Sequence, residues 1–286
     1  MKNRMLGVVC CLLLLLGLAA CATSEPAEPT GIMNPTSQLL SGLDKLKSRE
    51  STSGDESSAD ADCCIVIDDG LGMRGFVSGY CTTYSTVLSA VMNATIGDGC
   101  NCFSASDIAT GACEATTSEN DFFMSAHTEE FFQESSNSMD DVVEGIAAFV
   151  SEEPDSLCIL VSDLMMPTED VCLRTSEILQ EYFLDPDDRT IGIIGVLGDF
   201  SGTIDNLPIN SITGRPRSLS AYMVAEKDEN DIFRHPIYIL FLGDDELVLK
   251  SMEKALSSLE TSGMLDESNT VESAYYSEYS VQQREN

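Results

Sequence analysis

The chain has 286 residues, with 15 basic against 48 acidic side chains and a formal net charge of −33. A polyanion of this size is repelled by nucleic-acid phosphates and by anionic lipid headgroups, which excludes a nucleic-acid partner and electrostatic adhesion to a bilayer. Hydrophobic residues make up 43% of the chain, enough for one sizeable core.

The first residues have the three parts of a secretory signal: Lys2 and Arg4, an apolar run from Met5 to Leu18, and the small residues Ala19 and Ala20 before Cys21. The run is only about 14 residues long, where a transmembrane span needs about 20. Leu18-Ala19-Ala20-Cys21 resembles the lipobox of bacterial lipoproteins. The resemblance implies that residues 1–20 are removed, that the Cys21 thiol carries a covalent lipid, and that the protein is anchored on the extracytoplasmic side, at the cell surface or in the periplasm. Several buried acyl chains hold a protein stably at a membrane where one chain holds it only marginally. Loss of Lys2 and Arg4 leaves 13 basic against 48 acidic side chains, a net charge of −35. Residues 22–62 are rich in Ser, Pro, Glu, Asp, Gly and Ala and cannot bury enough surface to offset the entropy of ordering, so they are expected to form a disordered acidic tether. The acidic, polar stretch 261–286 is expected to be a disordered tail, leaving residues 63–260 as one domain.

Within that domain, Cys63 to Ile67 is a continuous apolar run ending at Asp68-Asp69-Gly70, the pattern of a strand buried on both faces. A helix is expected over 82–94, a short strand over 102–105, and an irregular aromatic patch over 122–132. Ser138-Met139-Asp140-Asp141 has the form of a capping box for a helix reaching Ser151. A second buried strand follows over Leu157–Val161, then a helix over 168–184, strands over 191–197 and 237–242, and a helix over 246–259. Strands alternating with helices predict an α/β fold, doubly wound and Rossmann-like, with a mainly parallel sheet and helices on both faces. Ligands bind such sheets at the carboxyl ends of the strands, where Asp68, Asp69 and Asp163 are placed.

Of the eleven cysteines, Cys10 and Cys11 fall in the signal and Cys21 is the lipid site, leaving eight. Cys63, Cys64 and Cys158 sit in strand-like runs and read as small core hydrophobes. Cys81, Cys100, Cys102 and Cys113 lie in loop-like sequence and are the disulfide candidates. Free thiols at these four, or a zinc site without a Cys-x-x-Cys knuckle, remain alternatives.

Asp68-Asp69-Gly70-Leu71-Gly72-Met73-Arg74-Gly75-Phe76 resembles the Asp-x-Ser-x-Ser-Met-x-Gly-Phe opening of von Willebrand factor type A (vWA) domains. Val161-Ser162-Asp163-Leu164 resembles the family's later strand end with its second Asp, and Ser136 or Ser138 stands where the family carries a Thr. Phe200 to Ile204 and Arg234 to Leu240 look like the closing part of bacterial vWA-like lipoproteins, so the resemblance spans about residues 63–260. It implies a metal site built from Asp68, Asp69, Ser136, Ser138 and Asp163. Gly70 and Gly72 replace both motif serines and supply no side-chain oxygen, so Mg²⁺ is expected to bind weakly or not at all.

Asp-Asp-Gly after a strand also resembles polysaccharide deacetylases, which implies a metal-dependent hydrolase of cell-envelope glycans. Those enzymes need paired His ligands, whereas this chain has only His127 and His235. The expectation is therefore a non-catalytic domain that binds a protein or glycan partner, or else a scaffold subunit of an envelope complex. Substitution of Cys21 by Ala is expected to abolish fatty-acid incorporation and normal processing, as read by metabolic labelling.

Overall fold

The apolar strand runs seen in the sequence become the middle of a single sheet because each must cover two faces. The computed structural model describes residues 63–78, 81–95, 100–112, 118–133, 137–152, 155–166, 168–186, 188–201, 233–263 and 271–276. Cys21, the tether 22–62, Cys113 and Ser136 lie outside the described residues.

Six strands, β1 (Cys63–Ile67), β2 (Asn101–Ser104), β3 (Leu157–Ser162), β4 (Arg189–Phe200), β5 (Phe233–Asp244) and β6 (Val271–Tyr276), form one sheet in the order β2-β1-β3-β5-β4-β6. β1 runs parallel to both β2 and β3. β5 is antiparallel to β3 and to β4, and β4 is antiparallel to β6. The fold is thus α/β with a mixed sheet: the parallel relation holds through β2-β1-β3, and the C-terminal half departs from it. There β5 inserts beside β3 in the opposite sense, with β4 on its outer side.

Six helices are described: α1 (Thr83–Ala94), α2 (Ala105–Thr110), α3 (Glu119–Ala126), α4 (Met139–Glu152), α5 (Glu169–Leu179) and α6 (Asp245–Thr261). Alternation along the strands sends Ile65, Ile67, Ile159, Val161, Ile239 and Phe241 into one core, with α1, α3 and α6. Val66, Cys158, Leu160, Leu240 and Leu242 enter the other, with α2, α4 and α5. Helix α4 shows why: its buried residues Met139, Val142, Val143, Ile146, Ala147 and Val150 recur at helical spacing and make one apolar stripe. The carboxylate half of the capping box is present. The Ser138 N–H donates to Asp141 Oδ2 at 2.9 Å, and the Ser138 hydroxyl donates to the same oxygen at 3.0 Å and to Asp140.

Three sequence expectations are corrected. The aromatic patch is regular: α3 is followed by a 3₁₀ turn, Glu129–Phe131, because Phe122, Phe123 and Ala126 have a core to enter. Cys102, a disulfide candidate in loop-like sequence, is buried within β2, the strand expected over 102–105. Part of the expected tail, Val271–Tyr276, adds an edge strand to β4. An edge supplies unpaired backbone groups, so even a polar segment can pair there without an apolar pattern of its own.

Gly243, near the end of β5, has φ +147°, and a Cβ there would stand 2.2 Å from the Ser156 carbonyl oxygen. This close approach lets the Asp244 N–H donate to that carbonyl at 3.1 Å and start α6. Substitution of Gly243 by Ala is expected to destabilise the domain by about 2–4 kcal/mol through combined strain and clash, read as a lowered urea midpoint at unchanged slope.

Candidate functional site

β1, β2 and β3 are parallel, so their carboxyl ends share one edge of the sheet. The antiparallel register places the amino end of β5 and the carboxyl end of β4 there too, since Ser162 pairs with Tyr238 and Gly198 with His235. That edge gathers Asp68, Asp69, Ser162, Asp163, Asp199, Arg234 and His235 from distant parts of the chain.

The Asp68 N–H donates to the Val161 carbonyl at 2.9 Å, extending the β1–β3 ladder by one residue and placing the Asp68 side chain against the next loop. Asp68 Oδ2 accepts from the Ser162 hydroxyl at 2.6 Å, and Oδ1 accepts from the Gly70 N–H at 2.9 Å. Asp163 Oδ2 lies 3.1 Å from His235 Nε2, and Oδ1 accepts from the Met165 N–H at 3.1 Å. Asp163 and His235 are both buried, and the His235 ring packs against Phe76 and Phe200 at centroid distances of 5.5 and 5.1 Å. Burial, then the neighbouring Asp163 carboxylate, push the Asp68 carboxyl up to about 6, against the Ser162 and Gly70 hydrogen bonds, which lower it.

Two further features mark this edge. Leu164 has φ +53°, a left-handed conformation unusual for a bulky residue, and its N–H donates to the Ser162 hydroxyl at 2.9 Å. Tyr84 on α1 is 1% exposed, and its hydroxyl has no hydrogen-bond partner among the described residues. Burial, then the Asp68 carboxylate, push its phenol above the ordinary range and keep it protonated.

The five residues expected as metal ligands meet different fates. Asp68 and Asp163 come together. Asp69 turns away: its Oδ1 accepts from the Ser106 N–H at 3.1 Å and the Ser106 hydroxyl at 3.0 Å, at the start of α2. The bonds of Ser138 go to Asp140 and Asp141 in the first turn of α4, and Ser136 is outside the described residues. Gly70 and Gly72 do border the carboxylates. A Cβ at Gly72 would lie 3.3 Å from Asp163 Oδ2, and one at Gly70 would lie 3.0 Å from Asp68 Oδ1. Among the described residues no group of three or more His, Cys, Asp or Glu side chains is arranged to hold a metal ion.

His127 stands apart in its bonding, with Nδ1 2.6 Å from the Phe123 carbonyl and Nε2 3.2 Å from the Ser85 hydroxyl. Sequence reasoning missed Ser106, Tyr84 and the Asp163–His235 pair. The Arg-His-Pro run was visible as part of a strand, but strand register alone decides that His235 faces Asp163.

Among the described residues no disulfide is formed. Cys64 and Cys158 are fully buried and pair in register across β1 and β3. Cys81 is partly exposed, and its thiol is pushed up by burial and then by Asp199. No helix among the described residues is long and apolar enough to cross a membrane. Comparison with family models, with curated proteins and with solved structures finds no match to this chain.

The raised Asp68 carboxyl carries a pH signature. Ionisation costs folding free energy above its folded value of about 6, the cost fades as pH falls, and none remains below its ordinary value of 3.8. Substitution of Asp68 by Asn is therefore expected to raise the melting temperature above about pH 7 and to change it little near pH 4. The gain should not exceed about 3 kcal/mol. Thermal melts of both proteins across this range check it.

Proposed function

We propose that this chain is a lipid-anchored protein on the extracytoplasmic side of a bacterial membrane, whose vWA-like domain binds a protein or glycan partner at the strand-end crevice. The observation that carries the reading is crowded, buried carboxylate charge. Asp68 and Asp163 crowd together at an edge that also holds the Tyr84 hydroxyl, without a hydrogen-bond partner among the described residues, and the left-handed Leu164. Backbone strain and crowded carboxylates both cost stability in the free domain, and the crowding of carboxylates is what a bound cationic group relieves.

The lipobox at Cys21 supports the anchor, and the acidic stretch 22–62 supports a tether that holds the domain away from lipid headgroups. The domain acts by binding rather than by catalysis. Its metal site is degenerate: Gly70 and Gly72 stand beside the carboxylates where serine oxygens would complete a coordination shell, and Asp69 is held by Ser106. Mg²⁺ affinity is accordingly expected to be millimolar or weaker, about −4 kcal/mol at best. Restoring both oxygens with Gly70→Ser and Gly72→Ser is expected to tighten Mg²⁺ binding at least tenfold, as read by titration calorimetry.

The partner is tested in cells with a photo-reactive residue in place of Leu71, at the crevice, or of Leu173, exposed on α5. Adducts specific to position 71 that disappear with Asp68→Lys support binding at this edge. Adducts of equal yield from both positions, or micromolar Mg²⁺ binding by the unaltered chain, would sink the reading.

A further inference from the structure

The paired residues of β1 and β2 run from Cys64 with Asn101 to Ile67 with Ser104. One step back along the same parallel register, Cys63 stands beside Cys100. Paired residues of adjacent strands share a face, and the packing agrees. Cys63 belongs to the core under α1 and α6, and Cys100 packs against that same cluster from a partly buried position. Adjacent strands lie about 4.8 Å apart, inside the range of Cα separations that a disulfide spans. The competing pair, Cys100 and Cys102, are two residues apart along one extended segment, about 6.6 Å, at the far limit of that range. Cys102 instead lies opposite Ile65, with its Sγ 3.8 Å from the Cys100 carbonyl.

We propose that Cys63 and Cys100 form a thiol–disulfide site that closes the segment carrying Asp68, Asp69 and Tyr84. The oxidant is a disulfide, of a protein or of a small thiol. The Cys100 thiolate attacks one sulfur of that disulfide, a mixed disulfide forms, and the first thiolate leaves. Cys63 then loses its proton and attacks the Cys100 sulfur, expelling the second thiolate. Two thiols and one disulfide thus become one disulfide and two thiols. Exposure sets the order, because Cys100 is partly accessible while Cys63 is buried. The hydrogen bond that the Cys63 thiol donates to Cys100, followed by burial, holds that thiol far above its ordinary range, so Cys63 is the resolving partner. Cys64 and Cys158 provide a control within the same sheet: they are also paired in register, but fully buried and out of reach of an oxidant.

The full chain is equilibrated in glutathione buffers from reducing to oxidising, alkylated, cleaved without reduction and mapped by fragment-ion mass spectrometry. The expected product links Cys63 to Cys100, with Cys64 and Cys158 alkylated only after unfolding. Closing a loop of this length is expected to raise the melting temperature by about 10 °C over the reduced chain. Cys100→Ser, altered at a partly exposed position, is expected to fold and to show no such redox-dependent rise. Three outcomes would overturn the proposal: a link from Cys100 to Cys102 or to Cys81, Cys63 and Cys100 both alkylated in the most oxidising buffer, or an equal redox-dependent rise in Cys100→Ser.

Discussion

The parallel pairing of β1 with β3, in register from Cys63 with Leu157 to Ile67 with Val161, governs every distance at the crevice. Strands of equal register end together, so the first residue past β1 must face the last residue of β3. The Asp68 N–H completes the ladder on the Val161 carbonyl, and its carboxylate then meets the Ser162 hydroxyl. The charge of Asp163 follows one residue later. A one-residue slip in either strand would send these side chains to the opposite face, because side chains alternate with a period of two. The apolar residues of both strands are divided between two cores, so such a slip would exchange the residues filling each. Packing therefore holds the carboxylates together although they repel one another.

The way that repulsion is managed distinguishes the three acidic residues. Asp69 is satisfied by Ser106 and is buried with little consequence for its neighbours. Asp163 is held between His235 and the Met165 N–H. Asp68 bears the remaining burden: two hydrogen bonds favour its charge, but burial and Asp163 outweigh them. The rings of Phe76 and Phe200 pack around the imidazole of His235, with Phe76 and Phe200 meeting edge to face at 5.0 Å. Apolar rings around a buried pair lower the local dielectric and strengthen each charge there.

On the proposed reading these properties serve recognition of a partner rather than a dedicated metal centre. A hard cation wants several oxygens at short range in a regular shell, and the two positions nearest the carboxylates are glycines. A cationic group borne by a partner makes weaker demands on geometry, and a chain of net charge −33 favours encounter with such a partner over encounter with anionic surfaces. The β1–β2 thiol pair lies at the other end of the same strand, where β1 begins at Cys63. A cross-link there would tie down the stretch between Cys63 and Cys100, which contains the crevice loop and α1.

The sequence by itself determined the strands that are apolar throughout, the amphipathic helices and the acidic residues at strand ends. Each of these is written in a local period or a local break of period: Cys63 to Ile67 before Asp68, Leu157 to Val161 before Ser162, and the stripe from Met139 to Val150. It determined neither the direction of β5 beside β3 nor the recruitment of Val271–Tyr276 to the edge, since backbone pairing is blind to side-chain pattern. The site divided along the same line. Asp68 and Asp163 were legible because each ends an apolar run. His235, Tyr84 and Ser106 were not, because they join through an antiparallel register, a helix face and a helix start that only the tertiary structure brings to one edge. Cys63 and Cys100 became neighbours for the same reason: 37 residues separate their numbers, and one backbone ladder removes that separation.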